Sequence, residues 1–314
     1  MNRLGGMIVP LVTPLTPDYR VDVPALINLC RTHIGAGTNV LFVLGTTGEF
    51  YGLSPVQRRQ VVDVVLEVVG TRVPVIAGVS AESTGAALSA LADCHDKRLA
   101  AYVLSTPYFL SYSQAELLDH FRILSDNARE QPLIVYNYPE RYRHTIEIPT
   151  VERLLSEKRV LGIKDTAGDF SFFTELLRLK DSYPDFLVFE GALSNLGRSG
   201  RLGIDGSVQA IGNLLPHECA ALWTCILARD WMPLEREASR LWRFQQEIES
   251  VSSFIASLKA CMALRQWCSP TAAQPTAVLD QAQLECLRSC MEHAYPGSCG
   301  TGFETAARVE RTVG

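Results

Sequence analysis

The chain is poor in lysine, with five among 314 residues. It has no apolar run close to the roughly 20 residues that a membrane-crossing helix needs, so a membrane is not expected as a partner. Its first residues, Met1-Asn2-Arg3-Leu4-Gly5-Gly6, lack the apolar core of a secretory leader. Basic residues are scattered and the net charge is −5, which leaves no electrostatic footprint for nucleic acid. The nine cysteines include no Cys-x-x-Cys pair. Reduced thiols in a cytoplasmic protein are therefore expected, rather than a disulfide scaffold or a structural zinc site.

What is present is a soluble-type composition, 47% hydrophobic and 20% charged, long enough for one large domain or two ordinary ones. Eight short apolar runs punctuate it: Met7 to Leu11, Val40 to Leu44, Val73 to Ala77, Ala100 to Leu104, Leu133 to Tyr136, Val160 to Lys164, Phe186 to Phe189 and Gly206 to Ala210. Most are apolar at consecutive positions, the mark of a strand covered on both sides. Helical patterns lie between them. Ser54-Pro55, Ser83 and Ser113 with Glu116 read as helix starts. Eight strands alternating with about as many helices predict an α/β fold, a (β/α)₈ TIM barrel. A doubly wound sheet would carry a glycine fingerprint after its first strand, and Val9-Pro10-Leu11-Val12-Thr13-Pro14 has none. The expected organisation is a catalytic barrel over 1–230, additional C-terminal helices over 231–293 packed on it, and a poorly ordered tail over 294–314.

Lys164 is the most informative residue. It ends the run Val160-Leu161-Gly162-Ile163 and precedes the polar loop Asp165 to Asp169. A lysine at the tip of a buried strand loses solvent around its ammonium, which favours the neutral amine. A neutral amine attacks carbonyls, so the placement suits a Schiff-base lysine. The competing reading is an ion pair with Asp165 or Asp169. The other four lysines read as ordinary: Lys97 and Lys158 lie in charged stretches, and Lys180 and Lys259 in helix-like segments.

In a parallel barrel every strand ends on one rim, and chemistry happens there. Gly45-Thr46-Thr47-Gly48-Glu49 follows the second run, Tyr136-Asn137-Tyr138-Pro139 ends the fifth, Lys164 ends the sixth, and Glu190-Gly191 follows the seventh. Taken singly, Glu49 reads as a cap of the next helix. Gly45-Thr46-Thr47-Gly48-Glu49, Tyr136-Asn137-Tyr138-Pro139 and Gly162-Ile163-Lys164-Asp165-Thr166, with Pro10-Leu11-Val12-Thr13-Pro14 and the stretch from Gly203-Ile204-Asp205-Gly206 through Asn213, resemble the dihydrodipicolinate synthase/N-acetylneuraminate lyase family, in order and spacing, from about residue 5 to 293.

The resemblance implies class I, pyruvate-dependent chemistry with no metal and no cofactor. Lys164 would form the imine with pyruvate or another small 2-keto acid. Tyr136 would shuttle protons, Thr46 and Thr47 would hold the pyruvyl carboxylate, Thr47 would assist the relay, and the Gly191 backbone would line the pocket. Arg141 stands where the synthases bind a second carboxylate, with Arg143 as the alternative. Thr166 would bond a substrate hydroxyl, and Glu190 would select a hydroxylated tail. A homotetramer built as a dimer of dimers is also implied.

Two departures matter. Thr106-Pro107-Tyr108-Phe109 carries Phe109 where the synthases have a second relay tyrosine. Gly191-Ala192-Leu193-Ser194-Asn195 lacks the acidic pair with which sialic acid lyases hold a sugar chain. The resulting expectation is a Schiff-base lyase of aldolase or dehydratase type. The alternatives are a 4-hydroxy-tetrahydrodipicolinate synthase joining pyruvate to aspartate semialdehyde, and a non-catalytic keto-acid sensor on the same barrel. A phosphate-binding barrel enzyme is disfavoured, because Gly197-Arg198-Ser199-Gly200-Arg201 precedes the eighth strand.

Overall fold

In the computed structural model, which describes residues 4–96, 98–296 and 299, eight parallel strands close into a barrel in the order β1 to β8. They are β1 Gly6–Pro10, β2 Val40–Val43, β3 Val75–Gly78, β4 Ala101–Ser105, β5 Leu133–Asn137, β6 Gly162–Asp165, β7 Leu187–Glu190 and β8 Gly206–Val208. The helices between them are α1 Val23–Gly35, α2 Pro55–Val69, α3 Thr84–Cys94, α4 Gln114–Asn127, α5 Pro139–Tyr142, α6 Ile148–Ser156, α7 Phe170–Arg178, α8 Leu196–Ser199 and α9 Pro216–Ala228. Three more follow: α10 Trp231–Val251, α11 Phe254–Leu264 and α12 Gln281–Ala294.

The local chemistry explains these boundaries. The Ser54 hydroxyl accepts from the Gln57 N–H while the Gln57 side chain accepts from the Ser54 N–H, and Pro55 opens α2. Ser113 and Glu116 form the same reciprocal pair at α4, and Ser83 caps α3. Every strand is buried along its whole length because each face has a different partner. One face fills the barrel interior with Ile8, Phe42, Val103, Ile134, Leu187 and Phe189. The other packs against the helices through residues such as Val9, Leu41, Val43, Leu104 and Val188. That double covering is why no polar alternation shows in the sequence.

Strand register sets the site. Tyr136 on β5 is level with Lys164 on β6, and Lys164 is level with Phe189 on β7. One residue further along, Asn137, Asp165 and Glu190 share the next level. Successive side chains on a strand point to opposite faces. Tyr136 and Phe189 belong to the interior set, so the next level turns outward.

The C-terminal helices lie beside the barrel. α10 packs on α8, α9, α11 and α12, and α11 touches the turn Ala210–Asn213 that follows β8. Among the described residues no helix is long and apolar enough to cross a membrane. The segment Gly197 to Arg201, which precedes β8, spans most of α8 and the start of the 3₁₀ turn Gly200–Leu202. Most of the expected tail, and Lys97, lie outside the described residues.

Candidate active site

A cavity of about 810 Å³ opens at the C-terminal rim of the barrel. Thr46, Thr47, Tyr136, Arg141, Lys164, Thr166 and Gly191 all line it. Seven of the residues singled out from sequence are thus brought together.

Lys164 is 7% exposed, and burial lowers its pKa to about 7, with the Asp165 charge pulling weakly the other way. Its Nζ lies 3.6 Å from the centroid of the Tyr136 ring and 5.8 Å from that of Phe42. The rival ion pair with Asp165 is not formed: that carboxylate accepts a hydrogen bond from Asn137 Nδ2 at 2.6 Å. Burial raises the Asp165 pKa to about 6, against the Asn137 bond. Tyr136 is buried as well, and desolvation lifts its phenol well above the ordinary range, opposed by the hydroxyls of Thr166 and Thr46.

The threonine loop is tightly constrained. Leu44 and Glu49 bracket it, each with φ of +57°, a left-handed conformation that non-glycine residues adopt only under surrounding constraint. Thr13 Oγ1 donates to the Gly48 carbonyl at 2.7 Å. The Glu49 carboxylate is fully buried, pairs with Lys259 Nζ and accepts from the Ala273 N–H. Glu49 does not cap the following helix through its side chain. Lys259, read as an ordinary helix lysine, is also fully buried; its Nζ donates to the Thr271 carbonyl at 3.0 Å. The pair ties the threonine loop to α11 and the segment after it.

Gly191 is held by its N–H, which donates to the Asp165 carbonyl at 2.7 Å. A Cβ there would meet Thr166 Oγ1 at 2.1 Å and the Asp165 carbonyl at 2.8 Å. Glycine is the residue that lets Thr166 stand in the wall. Arg141 lines the cavity and is drawn to the Tyr138 phenol. Arg143 is instead the left-handed residue that follows α5; it is exposed, as Arg141 is, but does not line the cavity.

Glu190 requires a correction. It is fully buried but does not line the cavity. It sits on the outward level with Asp165, and one carboxylate oxygen accepts from the Ala192 N–H at 2.8 Å. Burial raises its pKa to about 8. Its carboxyl is thus set in the barrel wall, apart from the cavity that the other seven residues line.

Sequence reasoning also misses several lining residues. Tyr142, on the short helix α5, places its phenol oxygen 2.9 Å from Thr46 Oγ1. Trp242, Gln245, Gln246 and Glu249 reach the cavity from α10. Their spacing of three, four and seven along one helix is a legible stripe, but only the barrel says which way it faces. Phe109 is 74% exposed, whereas Tyr108 lines the cavity and packs its ring 5.7 Å from that of Tyr142.

Residues 3–294 match the family model described as the dihydrodipicolinate synthetase family. A 4-hydroxy-tetrahydrodipicolinate synthase of Sodalis glossinidius (strain morsitans) is 33% identical over 291 residues, covering 92% of this chain and 98% of that protein. Among solved structures, the chloride-inhibited dihydrodipicolinate synthase of Acinetobacter baumannii, complexed with pyruvate, superposes with a TM-score of 0.85 at 28% identity, over 93% of this chain and 99% of the other. The dihydrodipicolinate synthase of Bacteroides thetaiotaomicron gives 0.87 at 27% identity, over 93% and 100%.

Proposed function

The chain belongs to the dihydrodipicolinate synthetase family, and on that premise we propose that it is a Schiff-base-forming, pyruvate-dependent lyase of aldolase or dehydratase type, acting on a small 2-keto acid. The observation that carries this reading is the buried Lys164 amine, held near neutrality inside the rim cavity against the face of Tyr136.

The chemistry follows from the parts. The neutral Lys164 amine adds to the keto carbon and water leaves, giving an iminium ion. The iminium draws electrons from the neighbouring methyl group, whose C–H bond becomes acidic, and an enamine forms. The enamine carbon then attacks an aldehyde, or is released when the reverse cleavage runs. Tyr136 is the acid and base at the substrate hydroxyl. The Thr47 hydroxyl and the backbone N–H groups of Thr46 and Thr47 are suited to the pyruvyl carboxylate, which leaves the Thr46 hydroxyl to its contact with Tyr142. Thr166 is suited to a substrate hydroxyl, and Arg141 to a second carboxylate through its planar fork.

Condensation of pyruvate with aspartate semialdehyde is the second reading. Arg141 in the cavity wall favours it, because that aldehyde carries a carboxylate. A non-catalytic sensor is disfavoured by the lowered Lys164 pKa, which a binding site for a carboxylate would not need. Assembly into a homotetramer, a dimer of dimers, is part of the proposal and is supported by Phe109 and Leu110, exposed side by side at 74% and 59%. A cytoplasmic location suits the nine free thiols.

Borohydride trapping tests the reading. The wild-type chain incubated with pyruvate and borohydride gains a reduced adduct visible by intact mass, and Lys164→Ala does not. A wild-type chain without an adduct sinks it. A screen of 2-keto-3-deoxy sugar acids and aspartate semialdehyde, read by pyruvate release or consumption, then separates the two substrate readings.

A further inference from the structure

We propose that Tyr142 supplies the second phenol of the proton path from the same chain, acting through Thr46. The proposal rests on the Schiff-base reading and goes beyond it.

The geometry is specific. The Tyr142 phenol oxygen lies 2.9 Å from Thr46 Oγ1. Its ring stands edge-on to that of Tyr136 with centroids 5.5 Å apart. The Thr46 hydroxyl also counters part of the upward push that burial gives the Tyr136 phenol. All three side chains line the cavity. Three hydroxyl groups thus gather on one cavity wall, two of them in contact, and each is able to accept one proton while giving up another.

The fold holds Tyr142 in place. It ends the four-residue helix α5, and its N–H donates to the Tyr138 carbonyl at 2.9 Å. His144 anchors the backbone: its Nδ1 lies 2.9 Å from the Tyr142 carbonyl oxygen, and its Nε2 accepts the Tyr112 N–H at 2.8 Å. The Asn137 side-chain oxygen accepts the Ile146 N–H at 3.1 Å, fastening the loop to the end of β5. The Tyr108 ring backs that of Tyr142. Phe109 carries no hydroxyl, and it does not line this chain's cavity.

The chemistry calls for such a set. Burial keeps the Tyr136 phenol from standing ionised at neutral pH, so it cannot wait as a free base. With three hydroxyls no standing phenolate is needed. As the methyl C–H bond of the iminium breaks, its electron pair becomes the enamine double bond and the C=N pair returns to nitrogen. The proton joins the Tyr136 oxygen. The proton that Tyr136 held passes to Thr46, the one Thr46 held passes to Tyr142, and the one Tyr142 held goes to water in the cavity. The positive charge of the iminium leaves with it.

Exchange of the pyruvate methyl protons in heavy water, followed by proton NMR, reads this step without any second substrate. Tyr142→Phe is expected to slow exchange at least about ten-fold while the borohydride adduct with pyruvate still forms in full. A ring acting only as packing would leave exchange within two-fold of wild type, and that result overturns the proposal. Should Tyr142→Phe not fold, 3-fluorotyrosine at position 142 keeps the shape and acidifies the phenol. The pH profile of exchange then moves, and an unmoved profile overturns the proposal. Absence of the adduct in the wild-type chain is a different failure, that of the Schiff-base reading itself.

Discussion

The Lys164 ammonium nitrogen lies 3.6 Å from the centroid of the Tyr136 ring, on the neighbouring strand at the same register level. A ring face attracts a cation, yet burial outweighs that attraction and holds the amine at about 7. Only the neutral amine attacks a carbonyl. The rate of imine capture from pyruvate should therefore level off above about pH 8 and fall below pH 7, by about ten-fold per unit. Timed borohydride quenching across pH gives the profile. A rate still climbing between pH 9 and 10 would mean that Lys164 titrates as an ordinary lysine.

Tyr136→Phe keeps the ring under the amine and removes the oxygen. Imine formation should survive, because the amine keeps its surroundings. Turnover should drop by about 10² to 10⁴, the usual worth of a placed general acid or base. Steady-state kinetics beside adduct yield separates the two. A variant that turns over at the wild-type rate removes Tyr136 from the proton path.

These two residues are legible in the sequence, and the reason is local. Lys164 ends a run that must be a strand, and Tyr136 ends another. All strand ends of a parallel barrel share one rim. Glu190 is misread for an equally physical reason. A strand covered on both faces shows no polar alternation, so the sequence hides which positions point inward. Parity is fixed only by the register that sets Lys164 level with Phe189 and Asp165 level with Glu190. Tyr142 is invisible in the sequence because its phenol meets Thr46 across 96 residues, through a helix of four residues that no periodicity can announce. Lys259 reads as an ordinary helix lysine because nothing near it in sequence supplies the carboxylate that neutralises it.

Arg141 lines the cavity and Arg143 ends the helix outside it. Arg141→Ala should raise the apparent KM for an acidic aldehyde by about ten-fold or more, the worth of one charge-assisted bond. The half-saturation for pyruvate should hardly move. Arg143→Ala should leave both constants within about two-fold, as expected of a surface side chain that does not line the cavity. The reverse pattern would show that the loop turns the other guanidinium toward substrate.

The Glu49–Lys259 pair makes the sharpest claim about stability. Both side chains are fully buried, so each is tolerated only because the other neutralises it. Glu49→Gln strands the ammonium and Lys259→Met strands the carboxylate, and each should cost about 3–5 kcal/mol. The double variant leaves no buried charge and should recover most of that loss. Denaturant unfolding of all four proteins gives the coupling directly. Because Glu49 closes the loop that carries Thr46 and Thr47, the single variants should also bind pyruvate more weakly than the double variant. If the single losses simply add, the two side chains do not act as a pair, and the threonine loop must owe its left-handed residues to other contacts.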